Sequence, residues 1–203
     1  MAHILKLTRL GNPILRAKAR QLTVAEIKRS EIQSLITDIK HTNEVKKYGM
    51  GLAAPQVGHS VALSVIGIKS SPTRPDLERF EQVIINPEYY GVGRRTGMYE
   101  GCQSVGSGKN ILFGKALRYK KIQATWYDEH ALLHSELLEG FVAHVFQHET
   151  DHLHGVIFLD CVRDRHSFMM ADEYRKQIAK SIPKKGRVFE NFQNGILKYG
   201  KRK

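Results

Sequence analysis

Three side chains near position 150 have the types and spacing of a hydrolytic metal site: His148, Glu149 and His152, in the order H-E-x-x-H. Residues four apart stack on one face of a helix, so both imidazoles can meet a single cation. Glu149, next to the first of them, reaches a water held at that cation and can serve as its base. The chain contains ten histidines, and one accidental match among them has a chance of roughly a few per cent. A glutamate between the pair and an apolar stripe behind it argue against accident. That stripe is a helix. Residues 140–153 read GFVAHVFQHETDHL, with Phe141, Val142, Val145, Phe146 and Leu153 around the turns and Gly155 placed as a stop.

A catalytic site of this kind needs three protein ligands and one open position. The extended pattern H-E-x-x-H-x-x-G-x-x-H fails, because Gly155 falls in place but Phe158 occupies the last histidine position. A carboxylate about twenty residues downstream is offered by Asp172 or Glu173, in a basic, amphipathic context that reads as a surface helix. His144 shares the ligand face. However, a rise of about 6 Å per four residues would spread three histidines over about 12 Å, so it reads as a pocket or supporting residue. His154 points off that face. Upstream, Glu100-Gly101-Cys102-Gln103-Ser104 sets a cysteine in a glycine-flanked turn, and residues 49–56 (GMGLAAPQ) form a small-residue loop ending in an amide.

With these three segments in view, the chain resembles the peptide deformylases. Their signatures are G-Φ-G-Φ-A-A-P-Q, E-G-C-Φ-S and Q-H-E-Φ-D-H. The first is complete at residues 49–56. The second is met except that Gln103 replaces the hydrophobic residue. The third is met at Gln147, His148, Glu149, Asp151 and His152, with Thr150 at the variable position. Gly11-Asn12-Pro13 with Leu15-Arg16, and Ile85-Asn86-Pro87, are also similar to the family, so the resemblance runs from about residue 5 to residue 162.

The resemblance implies that Cys102, His148 and His152 hold one divalent metal ion, with Glu149 as the proton carrier. It implies that the Gln56 side-chain amide and the Gln103 backbone N–H are the donors for the oxyanion. Gly49, Met50, Gly51, Phe141, His144 and Val145 are the expected lining of the substrate pocket. The substrate is expected to be the N-formylmethionyl end of a nascent peptide, and the product formate. Ligand types alone favour Zn2+, whereas the resemblance implies Fe2+ as the working metal, with Zn2+ or Ni2+ as replacements. Three departures concern the substrate path. Val105-Gly106-Ser107-Gly108 stands where the family commonly has a proline after one apolar residue, which reads as a looser run. Lys109 stands for an arginine. His144 stands where an aliphatic wall of the methionine pocket is usual. Two rival readings remain: an H-E-x-x-H peptidase using a downstream carboxylate, and a homologue without turnover that binds peptides or the ribosome.

These residues need a scaffold. At 203 residues one core is the expectation, with residues 1–165 as a single catalytic unit and 166–203 as a C-terminal helix and basic tail. Thr23 and Glu26 have the spacing of a capping box, and Ile27, Ile32, Leu35, Ile36 and Ile39 predict a helix running on toward Gly49. Residues 61–68 (VALSVIGI) predict a buried strand, residues 70–76 a surface loop, and residues 83–85 a short strand closed by Asn86-Pro87. Ile122, Ala124 and Trp126 alternate with polar residues as in a half-buried strand, and Asp128–His130 turns the chain into residues 132–138. A last helix is expected at about 167–181. The order predicts an α+β fold. The resemblance makes it deformylase-like: mostly antiparallel strands around the central metal-binding helix, with N-terminal and C-terminal helices.

Hydrophobic content of 41% and charged content of 26% are ordinary for a globular chain. No stretch has the apolar length of a membrane span. No signal peptide is read at the N-terminus, and two cysteines, Cys102 and Cys161, make no disulfide framework, so a reducing cytoplasm and a monomer are expected. The net charge of +12 is uneven: residues 163–203 hold twelve Lys/Arg against four Asp/Glu. That is either a solvated end or a surface drawn to a polyanion such as the ribosome.

Overall fold

The computed structural model describes residues 2–45, 49–70 and 79–179. The expected loop at 70–76 and the basic tail beyond 179 therefore lie almost wholly outside the described residues. A six-stranded antiparallel sheet runs in the order β1 (Gly51–Ala53), β2 (Leu63–Ile68), β3 (Phe80–Gly101), β4 (Leu112–Tyr127) and β5 (Leu133–Glu139), and the two-residue β6 (Met169–Met170) pairs with the start of β4. Helices α1 (Val24–Ile27) and α2 (Ser30–Val45) pack on one face, and α3 (Gly140–Leu153) on the other.

Strand alternation explains the layering. Leu63, Val65, Val83 and Ile85 point toward Ile27, Leu35, Ile36 and Ile39 of the N-terminal helices. Ile66, Ile68, Ile84, Ile122, Ala124 and Trp126 point toward Phe141, Val142, Val145 and Phe146 of α3. Because β2 is covered on both faces, its sequence is nearly all apolar instead of alternating.

Three expectations are corrected. The N-terminal helix is two helices. The Thr23–Glu26 capping box is present, but it opens a single turn, and the Gln33 side chain takes the Ile27 carbonyl at 2.8 Å where the chain bends into α2. The strand expected to close at Asn86-Pro87 runs on to Gly101, 22 residues in all. Asn86, at φ 49°, sits in a register shift between Ile85 and Glu88, and the proline's missing N–H is tolerated at that irregularity. The last helix starts later than expected, at α4 (Ala171–Tyr174), and continues as one wider turn to Ala179. Residues 169–170 are claimed by pairing with Leu112 and Phe113. Tyr174 then stacks on Phe113 at 4.4 Å between ring centroids.

Candidate metal centre

Helix α3 has the bounds its sequence predicts, and three of its last four carbonyls find partners beyond it. Ala19 N–H donates to Leu153 O at 2.9 Å, the His154 ring to Thr150 O at 3.0 Å, and Val156 N–H to Asp151 O at 3.0 Å. Gly155, at φ +72°, lets the chain turn away; a Cβ there would stand 2.5 Å from the Arg16 carbonyl oxygen. Gln147 fixes the helix against the sheet. Its amide accepts from Tyr119 N–H and donates to Tyr119 O, both at 2.9 Å, so the ligand face is held in register with β4.

Cys102 arrives from the turn after β3. The candidate ligand atoms of Cys102, His148 and His152 lie within 4.8 Å of one another, and Cys102 Sγ is 3.4 Å from His152 Nε2. Gln56, at the end of the small-residue loop, is buried and donates from Nε2 to Cys102 Sγ and to Ser104 Oγ, each at 3.3 Å; its Oε1 accepts from Ala53 N–H at 2.8 Å. The N-terminal strap closes over both segments: Thr8 N–H donates to Gln56 O, Leu10 N–H to Ser104 O, and Arg9 to Gln103 O at 2.9 Å. The 105–108 run is not loose. Val105 and Gly106 N–H both donate to Cys102 O at 3.1 Å, and a Cβ on Gly106 would collide with the Asn110 carbonyl. The Lys109 side chain lies outside the described residues.

The donor set suits a divalent transition metal: one thiolate and two imidazoles. His148 gives Nδ1–H to Glu100 Oε2 at 2.6 Å, which leaves its Nε2 lone pair facing the sulfur. His152 Nδ1 has no hydrogen-bond partner among the described residues. Burial alone would raise the Cys102 thiol, but the His152 and His148 rings outweigh it and hold the thiol well below its usual range. Glu149 is the opposite case. Burial, only partly offset by His148 and His152, pushes its carboxyl up to about 7, and its Oε2 has no partner among the described residues. Gly51 makes room for it, since a Cβ there would overlap the Glu149 carboxylate.

Sequence reasoning gave no role to the buried ion network behind the centre. Arg118 reaches Glu100 through Nε and Nη2 at 2.8 and 3.1 Å and also pairs with Asp151, while His144 Nε2 is 3.1 Å from Glu100 Oε1. Burial would raise Glu100, but Arg118, His144 and His148 together hold it well below the carboxylate range. The signal was available. Ile122, Ala124 and Trp126 set the inward parity of β4, and Arg118 shares it, so an inward arginine had to meet a carboxylate. Asp172 and Glu173, the downstream carboxylate alternatives, are exposed on α4 beside Lys176 and are not in the group. Gly49, Met50, Gly51, Phe141, His144 and Val145 all line one cavity of about 60 Å³, together with Gln56, Cys102, Gln103, His148 and Glu149.

Fold and donor set together are those of a metal-dependent hydrolase. A profile of the family described as polypeptide deformylase matches residues 4–168. The peptide deformylase of Leptospira biflexa is 36% identical over 168 residues, covering 80% of this chain and 90% of that one. Peptide deformylase 2 of a Nostoc species is 35% identical over 182 residues, 88% and 97% of the two chains. Among solved structures, a Met-Ala-Ser-bound class I type b peptide deformylase from Acinetobacter baumannii superposes with a TM-score of 0.72 at 26% identity, covering 80% of this chain and all of that one. One from Synechococcus elongatus in complex with actinonin gives 0.68 at 32% identity over 80% and 81%. The chain belongs to the polypeptide deformylase family.

Proposed function

We propose that this protein removes the N-formyl group from the N-terminal methionine of newly made polypeptides, releasing formate, through a cation held by Cys102, His148 and His152. The observation that carries the reading is the convergence of one sulfur and two ring nitrogens beside a buried glutamate in a single cavity. A bound divalent cation supplies Lewis acidity there, making water nucleophilic at neutral pH and polarising a carbonyl oxygen.

The chain's own groups do the rest. Glu149 accepts the proton of the attacking water on Oε2 and passes it to the amine nitrogen as the C–N bond breaks; a carboxyl near 7 is matched to both transfers. One N–H of Gln56 turns from Cys102 to the formyl oxygen as negative charge gathers on it, and the Gln103 backbone N–H is the second donor. The Gln103 donor is main-chain, so the unusual side chain at that position leaves it intact. Glu100 keeps the His148 ring in the tautomer that presents Nε2 to the cation.

Anaerobic measurement of formate from formyl-Met-Ala-Ser, with metal content determined on the same sample, tests the reading. Turnover in metallated protein, with loss of both metal and turnover in Cys102→Ala, is expected; no formate from fully metallated protein would overturn it. We infer Fe2+ as the working ion, with Zn2+ or Ni2+ as substitutes, and a cytoplasmic enzyme acting on nascent chains. Among the described residues no helix is long and apolar enough to cross a membrane.

A further inference from the structure

The last strand of the sheet has an open side. β5 pairs with β4 over seven residues without a register shift, and its other edge meets no strand among the described residues. Such an edge is a template for another strand, and proteins guard it with lysine, proline, a bulge or a covering loop. The β5 sequence, LHSELLE, contains no lysine or proline, and its register contains no bulge. Two of its side chains are apolar and out in solvent: Leu133 is 63% exposed and Leu137 51%. Leu133 continues the row of Ile85 and Tyr127 on the face that carries α1 and α2, yet neither helix buries it. Farther along that face, Leu137 and the 67% exposed Tyr90 flank Gln123 across three strands. The opposite face of β5 is polar. His134 stacks on Trp126 at 5.2 Å between ring centroids and meets Asp128 Oδ2 at 2.9 Å, and Glu136 Oε1 is 4.0 Å from its other nitrogen.

A second copy can lie antiparallel along this edge about a two-fold axis normal to the sheet. That axis keeps every side chain on its own face, so residues of like parity meet. Centred on Ser135, the pairing sets Leu133 against Leu137 and His134 against Glu136, each twice, with serine facing serine. Neighbouring registers fail. Centred on Glu136, two carboxylates meet; centred on His134, two imidazoles meet and Leu133 faces Ser135; centred on Leu137, Glu136 falls against Leu138. One register thus joins apolar to apolar on one face and imidazole to carboxylate on the other. That complementarity selects this chain itself, over an arbitrary strand, as the occupant.

The geometry points to a homodimer in which the β5 strands of two copies add edge to edge, centred on Ser135, and join two sheets into one. Main-chain hydrogen bonds supply the affinity, and the alternating side chains supply the register. Each copy keeps its own cavity, since no residue of β5 lines it. The pair replaces the single chain expected from the sequence.

Sedimentation of the full chain over about 5–500 µM tests this, because a contact of one strand is small and its association weak. The average mass should rise from one chain toward two. Leu137→Lys sets an ammonium against Leu133, and Glu136→Lys sets one against His134; each should move the midpoint to at least tenfold higher concentration. Both positions are exposed, so the circular dichroism of the variants should match the wild type. Ser135→Cys should cross-link two chains through a disulfide on mild oxidation, whereas Gln123→Cys, one strand in on the same face, should not. A mass of one chain at every concentration, association unmoved by both lysine variants, or equal cross-linking at the two cysteine positions overturns the inference. Amide exchange over residues 133–139 should slow as the chain's own concentration rises. Slowing that instead required an added peptide would assign the edge to a strand of another protein, and would overturn it too.

Discussion

At the scale of single residues, the proposed mechanism separates proton handling from charge stabilisation. Glu149 is buried and has a carboxyl near 7; Gln56 is buried with both atoms of its amide engaged. Their removal should therefore fail differently. Glu149→Ala should retain the metal and lose turnover by roughly 10²–10⁴-fold, the usual weight of a positioned acid–base group; an unchanged kcat at full metal content would take it out of the mechanism. Gln56→Ala should lower kcat by about 10²–10³-fold with little change in KM, because the donor is needed most when the oxygen becomes charged. A rise in KM alone would instead make Gln56 a ground-state contact.

At the scale of elements, α3 is positioned by polar contacts as well as by its apolar stripe. Gln147 ties it to β4, Ala19 closes its end, and buried Arg118 and Glu100 join it to two strands through half-buried Asp151. Arg118→Met would remove the cation from buried Glu100 and half-buried Asp151. We expect a loss of about 3–5 kcal/mol in unfolding free energy and a roughly 10–100-fold weaker metal affinity, since Glu100 orients the His148 ring. Denaturant unfolding and metal titration on the same preparation measure both. Stability within about 0.5 kcal/mol of wild type would mean the network is replaceable.

At the scale of the whole molecule, charge acts at the acid end of the pH range and in the C-terminal part of the chain. Burial by itself raises the Asp128 carboxyl, but the hydrogen bonds from His134 and from Leu132 and His130 N–H overcome it and hold the group below its ordinary 3.8. A folded value below the unfolded one adds stability above that range and loses it as pH falls through the folded value. Asp128→Asn should thus be less stable than wild type at about pH 5, with the gap closing below about pH 4; a gap that widened on acidification would reverse the sign. The basic residues beyond 179 lie outside the described residues, and we propose that they bring the protein to the ribosome. Deleting the chain after Pro183 should leave turnover of short peptides intact and weaken ribosome binding in a salt-dependent way; salt-insensitive or unaltered binding would reduce the tail to a solvated end.

What the sequence determined by itself was local. A 3.6-residue period put His148 and His152 on one face, a capping box opened α1, and a two-residue period set the inward side of β4. Motif resemblance added the expectation that Cys102 joins them. The tertiary structure decided what depends on partners far apart in the chain: Gln56 meeting Cys102 across 46 residues, Cys102 meeting His152 across 50, and Arg9 reaching the cysteine turn across 94. It also decided that Asn86-Pro87 bends a strand instead of ending it, and that Arg118, Glu100 and Asp151 meet behind the cysteine turn. Periodicity is a property of neighbours along the backbone. Register, burial and hydrogen-bond satisfaction belong to surfaces that meet only after the chain has folded.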